Sequence, residues 1–459
     1  MNGVTFAGGI ARVGGTNATD AIVLGPSGDG TKLQVTLNGK IVSSSIPLSA
    51  IQQVHIFGHD GNDTITINNL NKTTLVLGGN GTDRLVVNGR AAANSFVLGS
   101  SQVTVNGRAI GLDGLESLVL RGKASNDALI VQETPAFAVS FGGGAGSDRV
   151  QGPNSDSTWM LSSASAGKLN DTIQFGAVER IVGGTATDTL VGPNLDNSWT
   201  VAGNAGKVNA MAFSGIENLT GGAKKDTFNL ANGKGMSGWI DGGAGRNTLH
   251  YSAYTTSVEV NLGTATFSEH GKFLTADSAS NILGGVRNIR DVLGGSAADI
   301  LIGSESNLLM GNGGADELRA RRGSNVLIGG AGEDEILGSS GRDLLIGGLG
   351  RDLLGGFSGE DILIGGTTTF ETNRAVLDAL SAFWSRTDLS FATRVAKLRA
   401  GVPGVPKLNA SSVLQDSFTD KFFGKDFEEF DNTPDWYFAK LSAPAKDDIR
   451  DVDLTGAFN

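Results

Sequence analysis

Four consecutive nonapeptides decide the fold of this chain: GGAGEDEIL (329–337), GSSGRDLLI (338–346), GGLGRDLLG (347–355) and GFSGEDILI (356–364). They follow the pattern G-G-x-G-x-D-x-U-x, in which U is a large apolar residue. The same register extends over residues 307–361, where an Asp or Asn recurs every nine residues and an apolar residue follows two positions later. The polar positions are Asn307, Asp316, Asn325, Asp334, Asp343, Asp352 and Asp361, and the apolar positions are Leu309, Leu318, Leu327, Ile336, Leu345, Leu354 and Leu363. Such a strict period predicts a solenoid of short strands joined by tight turns.

A diluted form of the same turn recurs upstream. An Asp, or once an Asn, stands five residues after a Gly, with an apolar residue seven positions before it and another two positions after it, at Asp20, Asp63, Asp83, Asp127, Asp148, Asp188, Asp226, Asn247 and Asp299. The gaps are mostly one or two multiples of about 20 residues, which predicts rungs of that size. Because these Asp residues are isolated in sequence, we expect most of them only to cap their own turns.

The character of the chain changes after Gly366, where Gly becomes sparse. The segment NRAVLDALSAFW (373–384) has apolar residues at helical spacing, with Thr372 or Asn373 as N-cap, and a second helix is predicted over 388–400, before GVPGVP. The last fifty residues are rich in aromatic side chains. We therefore predict an all-β parallel β-solenoid with a small α-helical and aromatic C-terminal cap. Its expected parts are a degenerate solenoid (1–293), a tandem nonapeptide β-roll (294–366) and the cap (367–459).

The composition argues against several classes of partner and of metal site. Glycine supplies 69 of the 459 residues, cysteine is absent and the formal net charge is −11. The acidic balance argues against a nucleic-acid partner, which needs clustered Lys and Arg. Because the chain has no Cys and only four scattered His residues, a metal ion would have to be bound by hard oxygen ligands. No apolar run approaches the ~20 residues that span a bilayer, so membrane insertion is not expected. The first fifteen residues do not form a Sec-type signal peptide.

The nonapeptides resemble the hemolysin-type, or repeats-in-toxin (RTX), calcium-binding repeats found in large bacterial extracellular and surface proteins. This resemblance implies a β-roll in which each Ca²⁺ lies between two successive turns on one edge, 18 residues apart, and takes Asp carboxylates and backbone carbonyls from both. One edge then carries Asp316, Asp334 and Asp352, with sites 316/334 and 334/352. The other carries Asn307, Asn325, Asp343 and Asp361, with one site, 343/361. The implied metal-site residues are Asp316, Asp334, Asp352, Asp343 and Asp361, with the turn glycines Gly330, Gly332, Gly348, Gly350, Gly341 and Gly359.

Two functions are compatible with these observations. The resemblance implies a secreted or cell-surface bacterial protein, a structural or adhesive module ordered by Ca²⁺, whose partners are calcium ions and an extracellular glycan or cell-surface component. The alternative is a β-helix polysaccharide lyase or epimerase with an attached calcium-binding roll. No H-E-x-x-H, G-x-S-x-G or phosphate-loop motif is present, so we name no catalytic residue. Trp159 and Trp199 stand in equivalent places of two related segments, which favours core packing over stacking on sugars.

Overall fold

The computed structural model describes residues 3–269, 272–409, 411–414, 420–423, 435–438, 448–450 and 457–458. This part of the chain is rich in parallel strand pairs and contains two α-helices, which confirms the predicted all-β solenoid. The chain divides into two compact units, residues 1–194 with 204–220 and residues 195–203 with 221–459. Parts of the expected cap, among them Phe418, Phe427 and Phe430, lie outside the described residues.

The first unit stacks its rungs into two sheets. One contains the strands Gly3–Ala7, Ile10–Gly14, Gln53–Asp60, Thr73–Asn80, Ser95–Leu98, Gln102–Val105, Arg108–Asp113, Ala128–Val131, Arg149–Gln151, Arg180–Val182, Ala205–Val208 and Met211–Ser214. The other contains Ala21–Pro26, Lys32–Leu37, Lys40–Pro47, Thr64–Asn68, Arg84–Asn88, Ser117–Ala124, Ala138–Ala145, Ser157–Leu161, Gly167–Leu169, Ile173–Gly176, Asp188–Val191 and Asn218–Thr220. A single 3₁₀ turn, Leu48–Ala50, lies between two of these strands.

Parallel pairing aligns equivalent residues of successive rungs in this unit. Ile65 pairs with Leu85, Leu85 with Leu118, and Leu118 with Val139. Their side chains are at most 2% exposed, so every rung contributes to one continuous apolar column. Trp159 is fully buried against Phe175 and therefore packs in the core, as the sequence favoured.

The second unit contains the nonapeptides. Its longer sheet has the strands Asn197–Val201, Asp226–Leu230, Thr248–His250, Asp291–Leu293, Leu308–Gly313, Val326–Ala331, Leu344–Leu349, Ile362–Ile364, Trp436–Phe438 and Ala457–Phe458. The opposing sheet has Glu259–Asn261, Ser278–Ala279, Ile300–Ile302, Glu317–Arg319, Glu335–Leu337, Leu353–Gly355, Lys421–Phe423 and Asp448–Arg450. Shorter pairs are Ile240–Asp241 with Val286–Arg287, Phe267–Glu269 with Lys272–Leu274, and Thr367–Thr368 with Val413–Leu414.

The apolar position of each nonapeptide forms the core of the roll. Residues 18 positions apart pair in register, as Leu327 does with Leu345 and Ile336 with Leu354. All seven predicted positions, Leu309, Leu318, Leu327, Ile336, Leu345, Leu354 and Leu363, are 0% exposed. Because a one-residue slip would turn each of them outward, the nonapeptide period fixes the register of both sheets.

The roll continues beyond Gly366, after an excursion of the chain. Leu354 pairs with Phe422, and Leu363 pairs with Tyr437, so strands from the aromatic C-terminal segment add rungs to both sheets. The intervening residues include α1, Arg374–Trp384, which Asn373 caps, and α2, Phe391–Ala400, which Ser390 caps and which ends before Gly401. The two predicted helices are therefore inserted between one rung and the next.

The helices cover apolar residues of the longer sheet. Leu377, Leu380 and Leu398 pack in one cluster with Ile346 and Ile364. Arg394 of α2 is fully buried and forms an ion pair with Glu360, and its guanidinium lies 4.8 Å from the ring centroid of Trp384. A second ion pair joins Arg374 of α1 to the buried Asp291 at 2.7 Å.

Candidate metal centre

The Asp residues of the repeats form two hydrogen-bonded ladders along the edges of the roll. On one edge, the backbone N–H of Asp316 donates to Oδ1 of Asp334 at 2.8 Å, and the N–H of Asp334 donates to Oδ1 of Asp352 at 3.0 Å. On the other, the N–H of Asp343 donates to Oδ1 of Asp361 at 2.7 Å. All five side chains are at most 2% exposed. The structure thus brings the Asp residues together in the two groups that the 18-residue spacing predicts.

In each ladder carboxylate, Oδ1 accepts this backbone hydrogen bond. The surroundings of the second oxygen, Oδ2, differ between turns. Oδ2 of Asp316 and Oδ2 of Asp334 are buried and accept no hydrogen bond. A methyl group added to Gly311 would meet both Oδ2 of Asp316 and the carbonyl oxygen of Gly329 at less than 3.0 Å. The same holds for Gly329, next to Asp334 and the carbonyl of Gly347. Each glycine therefore leaves a small space that is lined by two oxygen acceptors.

The turn glycines hold further carbonyl oxygens close to the ladder. A side chain on Gly330, Gly332, Gly348, Gly350, Gly341 or Gly359 would collide with a carbonyl oxygen of the preceding turn on the same edge. All of these except Gly341 have φ between 112° and 150°, which is accessible to glycine and strained for other residues. The glycines therefore let stacked turns approach closely enough to place their carbonyl groups in columns.

The six-residue turns that end in Asp occur in two backbone forms, which differ at the second and fourth positions. In an open turn, both positions have positive φ, as at Gly330 and Gly332. In a closed turn neither does, and the N–H of the second residue donates to Oδ2 of the Asp. Closed turns end at Asp20, Asp188, Asp226, Asp299 and Asp343. The Oδ2 atom of a closed turn thus has a donor in its own backbone.

The turn at residues 338–343 is closed, which distinguishes it from its neighbours. Asp343 accepts hydrogen bonds from the N–H of Asn325 at 2.6 Å and from the N–H of Ser339 at 2.6 Å, and further bonds from both side chains. Both of its oxygens are occupied by protein donors. The 343/361 pair therefore fits a cation less well than the 316/334 and 334/352 pairs.

Burial dominates the electrostatics of these carboxyl groups. It raises the pKa of Asp316 to about 8, and the neighbouring Asp334 carboxylate adds to this shift. Burial also raises the pKa of Asp334 and of Asp343 to about 6. A buried carboxylate can keep its charge at neutral pH when a cation compensates it, so the ladder favours cation binding.

The oxygen set matches the requirements of calcium. Ca²⁺ takes 6–8 oxygen ligands from carboxylates and carbonyls, and the adjacent open turns supply both kinds. Within the described part of the chain, no group of three or more His, Asp or Glu side chains is arranged to hold a metal. The residues that could hold the ion are Asp316, Asp334 and Asp352, with carbonyl groups such as those of Gly329 and Gly347. Two arginines of the turns are engaged by protein groups: Arg321 donates to the carbonyl of Ala265, and Arg342 donates to that of Arg386 and pairs with Glu360 of the adjacent turn at 2.7 Å.

The ladders also include residues that the sequence patterns did not identify. Beyond the nonapeptides, Asp352 donates its N–H to Asp420 and Asp361 donates its N–H to Asp435, at 3.0 and 2.9 Å. Asp420 and Asp435 are each followed two positions later by an aromatic residue, Phe422 and Tyr437. This spacing is the sequence signal that identifies them as ladder residues. In the first unit, the side chains of Glu116, Glu179 and Glu217 accept the ladder bond on rungs that lack an Asp turn.

Comparison with known families identifies the repeats. Residues 310–345 and 337–367 match the family model of the RTX calcium-binding nonapeptide repeat (four copies). No curated protein matches the chain. The chain thus carries RTX-type repeats, which bind Ca²⁺, at the turns where the structure places buried carboxylates against carbonyl groups.

Proposed function

We propose that this protein is a secreted or cell-surface bacterial module whose repeat segment is ordered by Ca²⁺ and which serves a structural or adhesive role. One observation carries the proposal: on the edge with Asp316, Asp334 and Asp352, three open turns stack directly and form two spaces lined by carboxylate and carbonyl oxygens. We propose these two spaces as the principal sites, with 343/361 as a weaker one. We further propose that the chain is organised as a degenerate solenoid (1–293), a calcium-binding nonapeptide roll (294–366) and a C-terminal cap (367–459).

Bound Ca²⁺ would hold successive turns of the roll together. Without a cation, a closely stacked series of buried carboxylates opposes closure, so binding is coupled to folding. Extracellular calcium modules bind with Kd values of roughly 10⁻⁴–10⁻³ M. An affinity in that range would leave the repeats open in a cell with low free Ca²⁺ and close them after export. RTX repeat proteins are typically secreted by bacteria, which supports this location. No helix in the described residues is long and apolar enough to cross a membrane.

Calcium-dependent ordering can be tested on the full chain. We expect the melting temperature and the far-ultraviolet circular dichroism to differ between EGTA and millimolar Ca²⁺, and Mg²⁺ to be a poor substitute because it demands a smaller, more regular octahedral site. Hydrogen exchange measured by mass spectrometry should show slower exchange in peptides from 310–352 when Ca²⁺ is present. Identical exchange in Ca²⁺ and EGTA would refute the proposal.

The adhesive role requires a separate binding assay. The protein should bind an acidic glycan or a cell surface in Ca²⁺ and lose this binding in EGTA, without releasing a product. A screen against uronate polymers separates this role from that of a polysaccharide lyase or epimerase. Appearance of unsaturated or epimerised products would replace the adhesive role with the enzymatic one, whereas binding without turnover supports the module.

A further inference from the structure

The first unit contains two pairs of stacked open turns that lie far outside the nonapeptides. One pair comprises residues 58–63 and 78–83, and the other comprises residues 122–127 and 143–148. The second and fourth positions of all four turns have positive φ: His59 and Gly61, Gly79 and Gly81, Lys123 and Ser125, and Gly144 and Gly146. The paired turns lie in register, with His59 opposite Gly79 and Lys123 opposite Gly144. Their backbone geometry is that of the repeat segment.

The carboxylates of these turns stack in the same way. The N–H of Asp63 donates to Oδ1 of Asp83 at 2.8 Å, and the N–H of Asp127 donates to Oδ1 of Asp148 at 2.6 Å. The four side chains are at most 1% exposed, and Oδ2 of each accepts no hydrogen bond. Four buried carboxylate oxygens are therefore left without a protein donor.

Each of these oxygens lies beside a carbonyl oxygen of the next rung, which belongs to Gly78 for Asp63, Gly114 for Asp83, Gly143 for Asp127 and Ala177 for Asp148. A methyl group on Gly58 would meet both Oδ2 of Asp63 and the carbonyl oxygen of Gly78 at less than 3.0 Å. A methyl group on Gly122 would likewise meet Oδ2 of Asp127 and the carbonyl oxygen of Gly143. Two acceptors that share a buried space repel each other unless a proton or a cation lies between them.

Ladder positions occupied by Asn show how the protein fills this space with its own atoms. The side-chain amide of Asn94 donates to the carbonyl of Gly122 at 3.0 Å, and that of Asn247 donates to the carbonyl of Asn288 at 3.0 Å. In the closed turn of Asp188, the N–H of Gly184 satisfies the second carboxylate oxygen instead, at 2.7 Å. A methyl group on Gly183 of this closed turn would also meet both Oδ2 of Asp188 and a carbonyl oxygen at less than 3.0 Å, so what distinguishes the open Asp turns is that their Oδ2 has no donor.

We propose that the turn pairs 58–63/78–83 and 122–127/143–148 are two additional Ca²⁺ sites, which use the carboxylates of Asp63 and Asp83, and of Asp127 and Asp148, with the carbonyl groups between them. Carboxylate and carbonyl oxygens are the ligands of a hard divalent cation. Both turn pairs lie outside residues 310–367, which match the nonapeptide family, so these sites are separate from those of the nonapeptides.

The two sites differ in their surroundings. The first pair of turns contains a further acidic residue, Asp60, which lines a surface depression together with Asp113 and His59. The second pair contains the exposed Lys123 in one of its turns. Because a nearby ammonium group repels a cation, we expect Ca²⁺ to bind more tightly at 58–63/78–83 than at 122–127/143–148.

Hydrogen exchange of the full chain locates the ions. Ca²⁺ should slow the exchange of peptides covering 58–83 and 122–148 relative to EGTA, whereas a peptide over the closed turn 183–188 should not respond. The double substitution Asp63→Asn with Asp83→Asn should abolish the response at 58–83 alone and lower the calorimetric stoichiometry by one ion per chain. Asn occurs naturally at ladder positions 94 and 247, so the variant is compatible with the ladder, and unchanged circular dichroism in EGTA verifies its fold. The matched control is Asp188→Asn, which should leave the stoichiometry unchanged.

Three results would overturn the proposal. The first is equal hydrogen exchange of both upstream segments in Ca²⁺ and EGTA. If acidification slows this exchange and Ca²⁺ does not, a proton and not a cation occupies the spaces between the carboxylates and the carbonyl groups. The second is loss of the upstream response in Asp334→Asn, which would make that response an indirect effect of the nonapeptides. The third is an unchanged stoichiometry in the double variant. Conversely, an upstream response without one at 310–352 would leave this proposal standing and refute the proposed calcium ordering of the repeats.

Discussion

Substitution of Asp334 by Asn separates a calcium ligand from a turn cap. Asp334 belongs to both the 316/334 and the 334/352 pair, and its Oδ2 faces the carbonyl of Gly347 without a donor. In EGTA, the Asn side chain can donate to that carbonyl, as Asn247 does to Asn288. Since an unsatisfied buried polar group costs roughly 1–3 kcal/mol, the metal-free variant should be more stable than the wild type by about that amount.

In Ca²⁺ the order of stabilities should reverse. A site that binds only the folded state contributes about 2.7 kcal/mol when the free ligand is at one hundred times Kd, so two sites contribute about 5 kcal/mol. The variant loses a carboxylate from both sites and with it most of this gain. After its metal-free advantage is subtracted, the variant should be roughly 2–4 kcal/mol less stable than the wild type in excess Ca²⁺.

Urea unfolding, followed by circular dichroism in EGTA and in millimolar Ca²⁺, measures both differences. Asp343→Asn is the matched control, because Asp343 lies in the same block but has both oxygens occupied by protein donors. Because 343/361 is the weaker proposed site, its dependence on Ca²⁺ should stay much closer to that of the wild type than the dependence of Asp334→Asn does. If Asp334→Asn destabilises the protein equally in both conditions, Asp334 only caps its turn and the assignment of the two sites is wrong.

Three other predictions concern the scaffold. Burial raises the folded-state pKa of Asp188 from 3.8 to about 6, so its favourable contribution to folding stability is complete below pH 3.8 and is lost as the pH rises through 6. The fluorescence of the neighbouring Trp159 should therefore change near pH 6 in the wild type but not in Asp188→Asn. A transition that persists in the variant would contradict this assignment. Leu345→Ala should cost about 2–5 kcal/mol in both Ca²⁺ and EGTA, because it opens a cavity in a fully buried column; a smaller effect in urea unfolding would mean that the core collapses around it. Arg394→Met leaves Glu360 paired with Arg342 alone, at 2.7 Å, and leaves the carbonyl groups of Arg386 and Leu389 without the Arg394 donor, so residues 374–400 should become accessible to limited proteolysis. A digestion pattern like that of the wild type would show that apolar packing alone holds the helices.

Much of the scaffold was predictable because single residues determine it. The period of Leu309, Leu327, Leu345 and Leu363 sets both the register and the buried column. Asn373, at the start of an apolar helical pattern, marks the beginning of α1. These signals are local, since a strand face and a helix cap depend on neighbours only a few residues away.

The choice between open and closed turns was only partly accessible from sequence. The open turn GGNGTD (78–83) has Gly at its fourth position, whereas the closed GGTATD (183–188) has Ala, which avoids positive φ. The turn GSSGRD (338–343) is closed despite its Gly, and GKASND (122–127) is open with Ser, so the residue at the fourth position alone does not determine the backbone form. Asp420 and Asp435 were missed because 68 and 74 residues separate them from their ladder partners.

The direction of the ladders gives the assembly of the solenoid a polarity. At each ladder step within the described residues, the Asp amide donates toward the rung that follows in sequence, as Asp20 does to Asp63 and Asp361 to Asp435. A rung therefore leaves one buried amide unsatisfied until its C-terminal neighbour is in place. If the chain emerged from a channel with its C-terminus first, the acceptor for each new amide would already be in place. If it emerged with its N-terminus first, each amide would lack its acceptor until the next rung had formed. For the last rungs, this would require that both helices had also emerged.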